Sequence, residues 1–94
     1  MNKTTDNIID KLHNVILNIN KTIEEENFSA YYRIKESCLE SVNLVNEHKF
    51  NEASKEISFS IHLIMEAPPK NHDIGNKIIF ELQAIYELII QLIH

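Results

Sequence analysis

The chain has 94 residues, a formal charge of −5 and 44% hydrophobic residues, with one cysteine, one glycine and two prolines. A chain of this size buries only about 60–65% of its unfolded surface, so it forms one domain that must pack efficiently or borrow a partner's surface. The apolar fraction excludes a disordered tail, and the lone Cys38 excludes an internal disulfide framework, which points to an intracellular helical domain.

With Gly75 as the only glycine, the chain lacks the residue that strands, hairpins and phosphate-cradling loops draw on for positive φ. Sheets are not expected. The glycine-rich nucleotide loops and the nucleophile elbow of serine hydrolases are missing for the same reason. The polar start, Met1 to Asp10, does not read as a signal peptide. The most apolar stretch, Ile74 to Ile93, is interrupted by Lys77, Glu81, Gln83, Glu87 and Gln91, so it does not read as a membrane span. The expectation is a soluble cytoplasmic protein.

Four helices follow from the periodicity. The first covers 5–24, where Ile8, Leu12, Val15, Ile16, Ile19 and Ile23 recur in steps of three and four and Thr4, Thr5 or Asp6 can cap it. After the polar run Glu24 to Asn27, Asn27 or Ser29 can cap a second helix over 29–46. Its apolar side is Phe28, Tyr31, Ile34, Cys38, Val42 and Val45, widened by Leu39 and Leu44, with Glu36, Glu40, Asn43 and Glu47 opposite. Asn46 to Lys49 make the turn. A third helix, 51–66, opens with Asn51 as cap and carries Phe50, Ala53, Ile57, Ile61 and Ile64 on one stripe, with Phe59, Leu63 and Met65 beyond it.

Pro68 and Pro69 end that helix, and Asp73 is a cap for the last one, 73–93. There, Ile78, Leu82, Ile85, Ile89 and Leu92 form one stripe and Ile79, Tyr86, Ile90 and Ile93 a second. More than half its circumference calls for burial, in the bundle or against a second copy. Short turns between helices of this length favour an all-α, antiparallel up-down four-helix bundle. A single segment, Phe50 to Pro68, resembles the second helix of a tetratricopeptide repeat, but such arrays need about three copies to stand alone.

Chemical candidates are few. His62 and Glu66, four apart on one helix, with His72 and Asp73 across the proline turn, offer nitrogen and oxygen ligands, but neither HExxH nor a pair of Glu-x-x-His helices is present, and rim histidines are the plainer reading. His13, the histidine well inside the first helix, has no phosphotransfer motif around it. Cys38 sits on an apolar stripe and reads as a small core hydrophobe. No cofactor is expected, and so small a bundle leaves little room for a pocket that would pair catalytic carboxylates. Nucleic-acid binding needs clustered Lys and Arg, whereas here Arg33 is the single arginine and the net charge is negative.

There remains the acidic surface: Glu24 to Glu26, the stripe Glu36, Glu40 and Glu47, and Glu52 with Glu56. A solvated face for solubility accounts for its composition. Tyr32 and Arg33 beside the stripe are, however, residue types that carry binding energy at protein interfaces, and an acidic face steers a basic partner and can occupy the place of its phosphate ligand.

The stretch EASKEISFSIHLIMEAPPKN, followed by NKIIFELQAIYELI, resembles the helical hairpins of small all-α immunity proteins of bacterial toxin systems, contact-dependent inhibition among them. The resemblance covers about the second half of the chain. It implies a small, acidic, cytoplasmic protein that neutralises a cognate nuclease by masking its active site or an adjacent surface. Such proteins share no catalytic motif, so the resemblance carries over no site residue. The candidate partner-binding set, Tyr32, Arg33, Glu36, Glu40 and Glu47, comes from the stripe alone. Two other readings stay open: a structural dimerisation or chaperone-like module pairing Ile79, Tyr86, Ile90 and Ile93 across a two-fold axis, and a phage or plasmid inhibitor of a nucleic-acid enzyme.

Overall fold

Four α-helices and the turns between them make up the computed structural model, which describes residues 3–93: α1 (Lys3–Glu25), α2 (Ser29–Asn46), α3 (Phe50–Glu66) and α4 (His72–Ile93). Each helix packs on its chain neighbour, and α4 closes the ring against α1, while the diagonal pairs α1–α3 and α2–α4 do not meet. The molecule measures 37 × 19 × 18 Å. Its long axis is about the length of one 23-residue helix, at ~1.5 Å per residue, so the helices lie side by side along it. The fold is an all-α, up-down four-helix bundle.

The stripes read from periodicity line the core. Ile8, Leu12, Val15 and Ile19 of α1, Ile34, Cys38 and Val45 of α2, Ala53, Ile57 and Ile64 of α3, and Ile78, Leu82, Ile85 and Ile89 of α4 are all fully buried. Tyr31 joins them with its ring inside and its hydroxyl donating to the Ala67 carbonyl at 3.0 Å. Not every apolar residue follows: Leu17, Phe28, Leu39, Phe59, Met65 and Phe80 stand exposed. Three members of the second stripe of α4, Ile79, Tyr86 and Ile93, are half-buried and packed against the core, whereas Ile90 is half-buried outside that cluster.

The helix starts depart from the sequence expectation. Helix α1 already includes Lys3, so Thr4, Thr5 and Asp6 are first-turn residues, and its cap lies outside the described residues. Phe28, and neither Asn27 nor Ser29, is the N-cap of α2, without a side-chain hydrogen bond; its ring meets Tyr31 instead, at 5.7 Å between centroids. Helix α3 begins at Phe50, with Lys49 as N-cap, so Asn51 falls inside the helix. Asn71 displaces Asp73 as the cap of α4. Its Oδ1 accepts from the Ile74 amide at 3.2 Å, which leaves Asp73 in the first turn, where a carboxylate favours the positive end of the helix dipole.

The chain meets positive φ at a residue other than its glycine. His48, at φ 59, ends α2 in a left-handed conformation: its amide donates to the Val45 carbonyl at 3.1 Å, and the Lys49 amide reaches back to Leu44 at 2.8 Å. This is the paired hydrogen-bond pattern that glycine ordinarily supplies after a helix. Replacing His48 by glycine is therefore expected to stabilise the fold by about 1 kcal/mol, less whatever the edge contact between the His48 and Phe50 rings contributes. Urea midpoints of the two proteins check this.

Gly75 serves close approach. It is buried in the first turn of α4, and a Cβ built there would stand 3.1 Å from Cδ of Pro69. The loop carrying Pro69 is tied across the end of the bundle, because the Lys70 amide donates to Oε2 of Glu26 at 2.6 Å.

Candidate functional site

A hydrogen bond sets the register of α2 against α3. Ser37, buried on α2, donates to the carbonyl of Glu56 at 3.1 Å, and its hydroxyl also lies in close contact with the Glu56 carboxylate. A small residue at 37 lets the helices approach, and the contact fixes where the Glu56 carboxylate sits. Four residues earlier on α2, the Arg33 guanidinium lies over the Phe59 ring at 5.2 Å from its centroid. Such a contact contributes about 0.5–1 kcal/mol at an exposed site and holds the cation in place.

Between these two contacts the seam opens into a shallow cleft of 350 Å³ lined by Arg33, Glu36, Ser37, Glu40, Glu56 and Phe59. It continues toward the α2–α3 turn as a recess of 300 Å³ lined by Glu40, Leu44, Glu52, Lys55 and Glu56. Glu40 and Glu56 border both. The result is one groove in which Glu36, Glu40, Glu52 and Glu56 outweigh Arg33 and Lys55, with the arginine at one end. Its carboxylates are carried on two packed helices, so they concentrate a negative field along the seam.

Of the residues singled out in the sequence, Arg33, Glu36 and Glu40 come together here, but Tyr32 and Glu47 do not line the groove. Tyr32 precedes Arg33 and so points about 100° away around α2. Arg33 and Ser37 face α3 and α1 packs on the other flank, so the half-exposed Tyr32 lies on the α1 side. Glu47 ends α2 and pairs with Lys49 at 3.3 Å within the turn. That partner raises the Lys49 ammonium above its ordinary pKa, through their hydrogen bond first and charge attraction second. Glu52 and Glu56, noted only as acidic neighbours in the sequence, prove to be groove walls. Ser37 and Phe59 escaped notice: one reads as a neutral helix residue and the other as surplus core, and only the interhelical register reveals either.

Elsewhere, among the described residues, the buried Oγ1 of Thr5, Oγ of Ser60 and Oε2 of Glu81 have no hydrogen-bond partner. Among the described residues no group of three His, Cys, Asp or Glu is placed to hold a metal ion. His62 donates from Nδ1 to the Ser58 carbonyl at 2.7 Å. Among the described residues no helix is long and apolar enough to cross a membrane.

Cys38 is fully buried, and burial, reinforced by the Glu56 charge, pushes its thiol up to about 12 from an ordinary 9.0. Tyr31 is also raised, by desolvation first and then by Glu26. A raised folded-state pKa adds stability below the unfolded value and loses it as pH climbs to the folded one. Stability is thus expected to decline as pH rises from 9.0 toward 12, followed by urea midpoints. At neutral pH the thiol should react with an alkylating reagent only at the rate of unfolding.

No family model, no curated protein and no solved structure matches this chain.

Proposed function

We propose that this protein is a non-enzymatic inhibitor that binds a basic protein through the α2–α3 groove, and that it serves as an immunity protein against a bacterial toxin nuclease. The observation that carries this reading is the groove itself, where Glu36, Glu40, Glu52 and Glu56 project beside an Arg33 held over Phe59. A nuclease site is basic because it must hold phosphate. A row of carboxylates meets such a site by charge complementarity, in the place of phosphate and without a reaction.

Arg33 gives the groove polarity, since a cation at one end opposes partners that present only positive charge there and so fixes the direction of docking. Tyr32, on the α1 side of α2, and Glu47, paired with Lys49 in the turn, lie outside the groove and carry no part of this reading. The resemblance of residues 52–71 and 76–89 to immunity-protein hairpins supports the same reading.

The test begins at the neighbouring reading frames, where a basic nuclease domain is expected, and continues by co-expressing that domain with this chain. Growth is expected to be protected and a one-to-one complex to be recovered. If cells die and the purified proteins fail to associate at low salt, the reading is wrong.

A further inference from the structure

We infer that the outer face of α4 is a self-association surface, on which two copies of this chain pair antiparallel about a two-fold axis with Phe80 of each copy beside Ala84 of the other and Lys77 opposite Glu87. Phe80 is the most exposed large apolar side chain among the described residues, at 75%. It lies on the side of α4 opposite the buried Ile78, Leu82, Ile85 and Ile89. A lone exposed phenylalanine needs no explanation, but its neighbours give this one a context.

Along the outside of α4 run Asp73, Lys77, Phe80, Ala84, Glu87 and Gln91, in alternating steps of four and three. Any helix face recurs at those steps, and what singles out this one is its order: the apolar Phe80 and Ala84 at the centre, with Lys77 and Glu87 of opposite charge on either side. In an antiparallel pair, positions 73, 80 and 87 of one helix layer against 91, 84 and 77 of the other. One register therefore satisfies every layer. Phe80 meets the small Ala84, Lys77 meets Glu87 with opposite charge, and Asp73 meets the neutral Gln91. The two-fold axis repeats each pair.

The local surface agrees with this register. A recess of 140 Å³ beside Phe80 is lined by Gln83, Ala84 and Glu87, where the other copy's ring would sit. Stacking Phe80 on Phe80 instead would set Asp73 opposite Glu87, two like charges. The face thus has an apolar centre and a polar, self-complementary rim, the layout of a protein interface. It shares no residue with the α2–α3 groove, and α4 does not touch α2, so a dimer leaves both grooves open. Of the stripe Ile79, Tyr86, Ile90 and Ile93, the first, second and fourth pack against the core, and Ile90 lies about 80° around α4 from Phe80, off this face.

A single helix-on-helix contact is small, so the dimer is expected to dissociate on dilution. Sedimentation equilibrium of the full chain, from about 1 µM to about 1 mM, should show the mass rising from monomer toward dimer. Phe80→Ala should weaken association at least about tenfold, as loss of a central aromatic does. Lys77→Glu should weaken it too, and adding Glu87→Lys to that variant should restore it. All these positions are solvent-facing, and circular dichroism checks that the helices persist. A monomer across the whole range overturns the proposal, as does a dimer indifferent to Phe80→Ala. A double charge swap that associates no better than Lys77→Glu alone also overturns it.

Discussion

Reversing Glu36 and Glu40 to lysine is expected to slow association with a basic partner by about 10- to 100-fold at low ionic strength, with the difference shrinking as salt is added. Both side chains are exposed and line the α2–α3 cleft. The fold should therefore tolerate the change, and the loss should appear in the on-rate measured by stopped flow. The double reversal moves the local charge by four units at the point where Glu40 borders both halves of the groove. By comparison, Glu47→Lys should have a small effect, since Glu47 spends its charge on Lys49 in the turn. An on-rate unchanged by the double reversal would show that the groove does not steer the partner.

Truncating Leu82 to alanine is expected to cost about 2–5 kcal/mol. Leu82 is fully buried midway along α4, the helix that closes the ring against both α1 and α3. A domain of this size has roughly 5–14 kcal/mol in total, so the variant should lose a large share of its stability. Phe80→Ala, two residues away, should change the unfolding free energy from urea titration by no more than about 0.5 kcal/mol when measured at high dilution. The contrast isolates burial from residue type: the larger apolar side chain is the one outside. Equal losses at the two positions would mean that the outer face of α4 is covered in the free protein.

That contrast also marks what the sequence can and cannot disclose. Ile8, Leu12, Val15 and Ile19 could be placed in the core from spacing alone, because a period near 3.6 is a property of one helix. Phe28 falls on the apolar side of α2 by spacing yet stands exposed, while Phe59 and Met65, beyond the stripe of α3, are exposed as well. The helix starts at Asn51 and Asp73 were misjudged because several polar residues near each break qualify as caps. The choice of Asn71 depended on its Oδ1 reaching the Ile74 amide.

The groove was half legible. The stripe gave Glu36 and Glu40, which share a helix, while the contribution of Ser37, Glu56 and Phe59 required knowing how far α2 slides along α3. Tyr32 was included because it adjoins Arg33 in sequence, yet adjacency on a helix means about 100° of separation.

The ties around the loop of Pro69 give the bundle a stiff pole and a soft one. At one end, Tyr31 holds the Ala67 carbonyl, Glu26 holds the Lys70 amide and Pro69 lies on Gly75, so loops distant in sequence open only together. At the other end, the turn between α2 and α3 is closed by hydrogen bonds to its own helix and by the exposed Glu47–Lys49 pair. Amide exchange is therefore expected to be faster at that turn than in the loop of Pro69. Arg33 and Phe59 lie toward the stiff pole, while Glu52 and Lys55 lie toward the soft one. A ligand in the groove would meet a fixed anchor at one end and a compliant lip at the other, so its first contact sets position and its last sets fit.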